Sequence, residues 1–369
     1  MEMKLWWPLL LAFLLYGSLV AQAFQLLGDG CRYEGGRRTF TQRMSTLPDF
    51  DKSTQFESIG PLQREVISLE TGLEMETLIQ KPPVRGVGED RPALVFVHGS
   101  FHGAWCWAEH WMPYFSSKGY RTYSISLRGT SGSPAAEGAT NVKIGEHVAD
   151  LGAYLRRTFP AAGGAPAPVV VAHSFAGVLL MKYLEDPEQA PLSGGAWLCS
   201  VPPSGNGPMT RRFLKDRPLA ALKIVLGFVA KLATSWGFLA RDLFFNKDID
   251  KKTLNRYMEN FKADSKIGLD LVDLTPKLPI NCADENKCAS WLDRSPPRFV
   301  LGAERDYIVD LEGLKELATF LDVEAELLRG AAHDVMLGPG WKAGAERLGR
   351  WLEGPALRRR RREEAQEGG

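Results

Sequence analysis

The stretch Val169-Val170-Val171-Ala172-His173-Ser174-Phe175-Ala176-Gly177 is the most informative part of the chain. Its β-branched residues indicate a short buried strand, which stops at small residues, and a helix-like run follows over 178–184. A serine on so sharp a strand-to-helix turn exposes its hydroxyl as a nucleophile. Alanine stands two positions before and two after Ser174, where glycine is usual in such turns. An ordinary strand–turn–helix corner therefore stays open for this stretch alone.

A second strand-like run, 93–97, leads into the segment 98–107, which begins His98-Gly99-Ser100. Acyl transfer requires two backbone donors aimed at the developing oxyanion, and the loss of one typically costs ~10²–10³ in rate. One donor is expected to be the N–H of the residue after the nucleophile, Phe175, and the other the N–H of Ser100. Gly99 would let the loop turn these groups inward without steric cost.

Two further strand-like runs supply a carboxylate and a base. The run 298–302 is followed by Asp306, and the run 323–328 leads to His333. The chain order Ser174, Asp306, His333 matches a nucleophile, an orienting acid and a general base. Asp310 lies four residues beyond Asp306 and is the alternative acid, while Asp334 is interpreted as a turn or capping carboxylate.

The other histidines are interpreted mainly as structural or surface residues. These are His98, His102, His110, His147 and His173. Residues that are expected to line a substrate site come from the segment after the second strand and from the region downstream of the elbow. The candidate substrate-binding residues are His98, Phe101, His102 and Trp236.

Together these residues resemble the α/β-hydrolase family, and the resemblance covers about 66–352. The segment 98–107 is similar to the plant methylesterase and hydroxynitrile-lyase branch, and the whole chain, including 198–206, is similar to plastid-type hydrolases of plants and algae. The resemblance implies a mostly parallel eight-stranded sheet with helices on both faces and a helical cap. It also implies a catalytic triad of Ser174, Asp306 and His333, with oxyanion donors at Ser100 and Phe175.

Two residues separate this chain from other branches of the family. Ser174 stands where epoxide hydrolases and dehalogenases have a carboxylate nucleophile, and this argues against both. Asp334 follows His333 at a position where the family's hydroxynitrile lyases have lysine, which weakens the lyase interpretation.

Composition agrees with one large α/β core. The 369 residues are 44% hydrophobic and 24% charged, and a net charge of +1 gives no strong field for nucleic acid. A predicted hairpin over 64–80 precedes alternating strands and helices. Helices are predicted over about 107–117, 143–157, 176–184, 311–320 and 341–351. The core is expected to comprise 56–205 and 296–354.

The segment 206–295 is predicted to be a helical cap over the active site. Apolar residues over 218–239 indicate one or two amphipathic helices. Most of them are expected to pack the cap onto the core, while Phe228, Trp236 or Phe244 would line an apolar acyl pocket. The later part, 248–274, is charged and helical in pattern and is interpreted as a solvated face.

Five cysteines give no metal motif and no disulfide framework, although Cys282 and Cys288 are close enough in sequence to bridge. No GxGxxG or GxxxxGK[ST] pattern follows a strand, so no nucleotide loop is predicted. We expect neither a metal nor a cofactor.

The chain ends are predicted to lie outside the fold. Residues 1–23 combine Lys4, an apolar run and Ala21-Gln22-Ala23, which is typical of a signal peptide. Residues 24–55 resemble a transit leader that begins with Phe24, so a plastid location through an ER-type signal is expected, with secretion or the endomembrane lumen as the alternative. Residues 355–369, which include the run 358–362 of arginines, are predicted to be a disordered tail.

The resulting functional hypothesis is a carboxylic-ester hydrolase that acts on a small-molecule, lipophilic ester through an acyl-enzyme. We expect no nucleic-acid partner and no stable membrane insertion after leader removal. Three alternatives remain: a phytyl-ester hydrolase of chlorophyll derivatives, an acyltransferase, and a non-catalytic ligand receptor on the same fold.

Overall fold

The computed structural model describes residues 60–84, 86, 88–160, 165–224, 226–227, 231–245 and 247–358. The predicted signal peptide and transit leader, Cys31, Phe228 and residues 359–369 of the predicted tail lie outside the described residues.

An eight-stranded sheet forms the centre of the fold, as predicted. Its strands are β1 (Leu62–Ser68), β2 (Glu74–Gln80), β3 (Leu94–Val97), β4 (Thr122–Ile125), β6 (Val169–His173), β7 (Gly194–Leu198), β9 (Arg298–Ala303) and β10 (Ala325–Leu328). The strand order is β1-β2-β4-β3-β6-β7-β9-β10. The β1–β2 and β2–β4 pairs are antiparallel, and the remaining pairs are parallel. The carboxyl ends of the parallel strands therefore meet at one edge, where such folds place ligands.

Helices cover both faces of this sheet and also form the connection between β7 and β9. They are α1 (Trp105–Ala108), α2 (Trp111–Ser117), α3 (Ile144–Thr158), α4 (Phe175–Glu185), α5 (Gly207–Asp216), α6 (Pro218–Ile224), α7 (Gly237–Phe244), α8 (Lys251–Asp264), α9 (Leu271–Leu274), α10 (Leu311–Phe320) and α11 (Trp341–Leu352). Successive strand residues point to opposite faces. Phe96 and Val171 belong to one hydrophobic cluster with α1, α2, α11 and several residues of α7 and α8. Val95 and Val170 belong to a second cluster with α3, α4 and α10.

The connection between β7 and β9 holds α5 to α9, and we call it the cap. Its short strand β8 (Gly268–Leu269) pairs in parallel with β5 (Asn141–Val142). Short 3₁₀ turns lie at Leu232–Thr234, Thr275–Lys277, Pro279–Cys282 and Leu292–Arg294. The predicted amphipathic stretch 218–239 contains α6, the first of these turns and the start of α7.

Three sequence expectations about elements were wrong. The helix predicted over 107–117 is interrupted at His110, whose φ of −143° lies outside helical values. Helix α8 is not a solvated face, because Leu254, Tyr257 and Phe261 are buried on one side of it. Residues 355–358, predicted to be disordered, form a helical turn that buries Leu357.

The cysteines in the described residues, Cys106, Cys199, Cys282 and Cys288, are free thiols. None of the helices in the described part of the chain has the length and apolar character that a membrane span requires.

Candidate active site

Ser174 occupies the turn between β6 and α4. Its backbone angles of φ 55° and ψ −120° are uncommon for a residue other than glycine. Neighbouring elements crowd this turn: a Cβ on Gly177 would overlap the hydroxyl of Ser200, and one on Gly99 would lie 2.7 Å from the Cβ of Ser174. Ala172 and Ala176, which replace the usual glycines, are both buried and accommodated. The chain therefore holds a strained serine at the carboxyl edge of the sheet.

Ser174, His333 and Asp306 form a continuous hydrogen-bonded chain. The Nε2 atom of His333 lies 3.0 Å from the Oγ of Ser174, and its Nδ1 lies 2.8 Å from Oδ2 of Asp306. Because a carboxylate only accepts, Nδ1 carries the proton and Nε2 is free to accept from the serine hydroxyl. The structure thus brings the three predicted catalytic residues together in the arrangement of a nucleophile, a base and an orienting acid.

Asp306 is fixed by backbone donors, and the alternative acid Asp310 lies elsewhere. The Oδ1 atom of Asp306 accepts from the N–H groups of Ile308 and Val309 at 2.7 and 2.9 Å. Asp310 caps α10 by accepting from Gly313 N–H, and it also pairs with Arg212. Only Asp306 of these two carboxylates contacts His333.

Both proposed oxyanion donors are near Ser174: Phe175 follows it directly, and Ser100 follows Gly99, which approaches the Cβ of Ser174. Phe175 is the first residue of α4, where N–H groups have no intrahelical acceptor. Ser100 N–H donates to no acceptor among the described residues. Its loop is held against the nucleophile by the close approach of Gly99 to Ser174. Both N–H groups are therefore available to an oxyanion at this turn.

His98 was predicted to bind substrate, and in the structure its ring is hydrogen-bonded within the protein. The side chain is 1% exposed, and its Nε2 accepts from Leu127 N–H at 2.9 Å. Nδ1 must then carry the proton and donate to the Gly99 carbonyl at 2.7 Å. Burial lowers the pKa of His98 to about 3, which keeps the ring neutral. His98 orients the Gly99–Ser100 peptide, whose N–H is the proposed donor.

His102, another predicted substrate residue, is also fully engaged inside the protein. Its Nδ1 lies 2.8 Å from the Ser100 carbonyl oxygen and its Nε2 lies 2.9 Å from Oδ2 of Asp334. Its ring contacts those of Trp105 and Phe261. Both ring nitrogens of His102 are thus engaged within the protein, as are those of His98, so neither side chain offers a free nitrogen to a ligand.

His173 precedes Ser174 and is hydrogen-bonded to the backbone of His333. Its Nε2 lies 3.0 Å from the carbonyl oxygen of His333, to which it must donate. Burial, followed by the neighbouring His333, lowers the pKa of His173 well below its usual value. A neutral His173 thus fixes the backbone of the loop that presents the His333 ring.

Among the described residues of the cap, Phe244 at the end of α7 has its ring beside His333. Its ring centroid lies 6.3 Å from that of His333 and 6.2 Å from that of Phe101, and its side chain is buried. Trp236 instead stacks on Phe238, and both side chains are about half exposed. From sequence, Phe228, Trp236 and Phe244 are equal candidates for an acyl pocket, and Trp236 is the one predicted to bind substrate. The helical register that turns Phe244 inward was the signal that could have separated them.

Two groups of potential metal ligands share residues with the hydrogen-bonded chain of Ser174, His333 and Asp306. Cys199, Asp306 and His333 form one, and His173, His333 and Asp334 form the other, with ligand atoms within 4.8 Å of one another. Both groups depend on His333, whose two ring nitrogens already bond Ser174 and Asp306. Burial, together with the nearby Asp306, raises the pKa of the Cys199 thiol, which disfavours the thiolate that a metal requires. The hydrogen bonds that His333 makes to Asp306 and to His173 bring these side chains close together.

Comparison with known proteins assigns the family. Residues 94–344 match the alpha/beta hydrolase family, and the chain belongs to it. An epoxide hydrolase from Vigna radiata superposes with a TM-score of 0.56 at 17% identity, over 79% of this chain and 98% of that one. The potato (Solanum tuberosum) epoxide hydrolase gives 0.55 at 18% identity, over 79% and 99%. A candidate aryl esterase from Burkholderia cenocepacia gives 0.52 at 16% identity, over 79% and 98%. No curated protein sequence matches this chain.

Proposed function

We propose that this hydrolase cleaves a carboxylic ester, with a lipophilic acyl or alcohol part, through a covalent acyl-enzyme on Ser174. The observation that carries the proposal is the 3.0 Å contact between the Oγ of Ser174 and the Nε2 of His333, in a ring that Asp306 holds from the other side. A nucleophile needs a base within hydrogen-bonding reach, and a base needs an orienting group.

The cycle follows from this arrangement. Ser174 Oγ attacks the ester carbonyl while its proton passes to Nε2 of His333, and the oxyanion accepts from the N–H groups of Ser100 and Phe175. The imidazolium then gives the proton to the leaving alcohol, and an acyl-serine remains. Water then attacks the carbonyl of the acyl-serine while its proton passes to Nε2 of His333. His333 returns that proton to the Oγ of Ser174 as the acid is released. No cofactor takes part in these steps.

An apolar wall beside the base supports a lipophilic substrate. Phe244, contributed by the cap, lies next to His333, and Phe101 packs against Phe244. A cap of this kind excludes water and gates entry. A phytyl ester is one lipophilic ester that would suit such a wall, and an acceptor alcohol in place of water would make the enzyme an acyltransferase.

Epoxide hydrolysis is the second candidate, because two of the similar structures are epoxide hydrolases. The chemistry of Ser174 argues against it. A carboxylate that opens an epoxide forms an ester, which water can cleave at the carbonyl. A serine hydroxyl would form an ether, which has no carbonyl to attack, so turnover would stop after one cycle.

A fluorophosphonate probe tests the nucleophile. We expect one equivalent to label the wild-type protein and none to label Ser174→Ala. Ser117→Ala, which removes an exposed hydroxyl on α2, is the matched control and should label as the wild type does. An unlabelled wild type, or equal labelling of Ser174→Ala, would refute the proposal.

A substrate panel then defines the reaction. Acyl esters of increasing chain length, a phytyl ester of a chlorophyll derivative and styrene oxide would be compared, with and without added acceptor alcohol. We expect turnover of esters, rising with acyl length, and none of styrene oxide. Binding that produces a thermal shift without any turnover would instead support a ligand receptor.

A further inference from the structure

A buried pair of side chains connects the loop of the oxyanion donors to the loop of the base. His102 lies two residues after Ser100, and Asp334 directly follows His333. The Nε2 of His102 is 2.9 Å from Oδ2 of Asp334, and its Nδ1 is 2.8 Å from the Ser100 carbonyl oxygen. Both side chains are at most 1% exposed.

The partners of His102 determine its protonation. A carbonyl oxygen and a carboxylate both accept hydrogen bonds, so each ring nitrogen of His102 must supply a proton, and the ring is an imidazolium. Burial opposes that charge, but Asp334 and the Ser100 carbonyl outweigh it, so the pKa of His102 is raised. Asp264 adds a weaker attraction from the cap. His173 does not compete for Asp334, since its nearest nitrogen is 3.9 Å from Oδ1.

The backbone around Ser100 shows what this pair controls. His98 fixes the Gly99 carbonyl, and His102 fixes the Ser100 carbonyl. Because each peptide unit is planar, the direction of the intervening Ser100 N–H is set from both sides. On the other loop, Asp334 N–H donates to the Phe244 carbonyl of the cap at 3.0 Å.

We propose that His102 and Asp334 act as one positioning pair, which aligns the Ser100 oxyanion donor with the His333 base. The role rests on the proposed ester hydrolysis, because it concerns the same oxyanion. The pair touches neither substrate nor reacting atoms. It acts by holding the loop of Ser100 and the loop of His333 in a fixed relative position.

The charge pairing predicts how the two residues depend on each other. Removal of one partner leaves the other buried without its counter-charge, which is far more disruptive than removal of both. Residues that work as a unit also give non-additive losses in a double-mutant cycle. Substitution of either His102 or Asp334 should therefore cost about as much activity as substitution of both.

The test is a cycle of His102→Gln, Asp334→Asn and the double variant, with kcat normalised to active sites titrated by fluorophosphonate. We expect each single variant to lower kcat about 10- to 100-fold with KM within about threefold, since a misaligned donor costs less than the ~10²–10³ of a missing one. The double variant should be no slower than the slower single variant. The Ki of a trifluoromethyl ketone, which forms an oxyanion on Ser174, should rise in parallel with the fall in kcat/KM.

His110→Gln is the matched control, because His110 stacks on Trp341 away from the triad and should keep kcat within twofold. Pair variants with kcat within twofold of wild type, or losses that multiply in the double variant, would overturn the pairing while the wild type still labels. A wild type that does not label refutes ester hydrolysis and the pair's role with it. Nitrogen-15 NMR of the wild type at pH 7.5, with His102 assigned through bonds from its backbone, should show two ring N–H groups. One unprotonated ring nitrogen would overturn the imidazolium even if the variants fail to fold.

Discussion

Four buried histidines surround the proposed nucleophile, and their partners give them different protonation states. His98 receives a backbone N–H and is neutral, with its proton on Nδ1. His173 donates to a carbonyl from Nε2 and is neutral as well. His102 faces two acceptors and is charged. Of these side chains, His333 is the one that directs an unprotonated nitrogen at the hydroxyl of Ser174. The local hydrogen bonds, rather than residue type, single out the base.

Asp306→Asn tests the acid at this scale. An amide at this position can donate an N–H to Nδ1 of His333, which would move the ring proton to Nε2 and remove the base. We expect kcat for an activated ester to fall about 10⁴-fold, as in other sites where the acid only fixes the tautomer. Steady-state kinetics with active-site titration would measure it.

Asp310→Asn is the control for that change. It keeps a side-chain acceptor at the N-terminus of α10, since Asn and Asp serve equally there, and weakens only the pair with Arg212, so the free energy of unfolding should fall by no more than about 1 kcal/mol. Activity per titrated site should stay within threefold. A larger loss of kcat in Asp310→Asn than in Asp306→Asn would show that Asp310, and not Asp306, is the orienting acid.

Residue patterns predicted which side chains would meet, and the limits of that prediction have physical causes. Ser174 and His333 lie after strands, at positions that the parallel topology brings to one edge. Asp306 could not be separated from Asp310 by sequence, because both follow the same strand and only the backbone turn directs one of them to His333. The inward-facing bonds of His98 and His102 depend on contacts with Leu127 and Asp334, which are distant in sequence.

Individual elements were predictable where the pattern was periodic and failed where tertiary contacts decided the outcome. Helices α10 and α11 follow clear apolar spacing. The interruption at His110 has a local cause in Pro113, which has no backbone N–H and whose ring would clash with the carbonyl four residues earlier, at Glu109. The charged sequence of α8 suggested exposure, yet Tyr257 and Phe261 pack against the aromatic rings of the segment 98–107. Burial of one helical face therefore depends on what covers it.

Helices α3 and α4 meet through a titratable contact that gives a prediction at this scale. His147 of α3 packs on the ring of Phe175 at 5.7 Å and is 5% exposed. Burial lowers the pKa of His147 to about 4, although Asp150 and Glu146 act in the opposite direction. Between pH 6.5 and 4 the unfolded chain is protonated at this residue while the folded protein is not. Stability must therefore fall as the pH falls through this window.

His147→Phe removes the proton and keeps an aromatic ring against Phe175. At pH 5 the wild type should have lost about 2 kcal/mol of unfolding free energy through His147 alone, since one pKa unit corresponds to about 1.4 kcal/mol. The difference in unfolding free energy between variant and wild type should shift by that amount in favour of the variant between pH 7.5 and 5. Urea titrations at the two pH values would measure it, and a difference that does not vary with pH would contradict the linkage.

At the scale of the whole molecule, buried polar groups join the cap to the sheet. Asp264, at the end of α8, accepts from the backbone N–H of Ser131 at 2.5 Å and from the indole of Trp105 at 2.9 Å. Burial raises the pKa of Asp264 to about 6, against the effect of these donors. Arg256 of the same helix forms a bidentate pair with Glu109. The cap is thus fixed directly to the segment that carries the proposed oxyanion donor.

The C-terminal turn at 355–358 packs at the amino ends of the parallel strands, at the edge of the sheet opposite Ser174. Leu357 is 1% exposed, belongs to the core cluster that contains Phe96, and lies against Gly194 of β7. Just before it, Glu353 accepts from Arg91 and from Tyr120, which holds this end of the chain to the sheet. Sequence composition could not reveal this, because a single leucine before a run of arginines has the pattern of a solvated tail.

Leu357→Ala measures what this turn contributes. Truncation of a fully buried leucine removes its transfer free energy and leaves a cavity, so the free energy of unfolding should fall by about 2–5 kcal/mol. Leu219→Ala is the matched control, since that side chain is 75% exposed and its loss should change stability by no more than about 0.5 kcal/mol. Urea unfolding followed by tryptophan fluorescence would compare the two variants. If Leu357→Ala were as stable as Leu219→Ala, residues 355–358 would not be part of the folded core in solution.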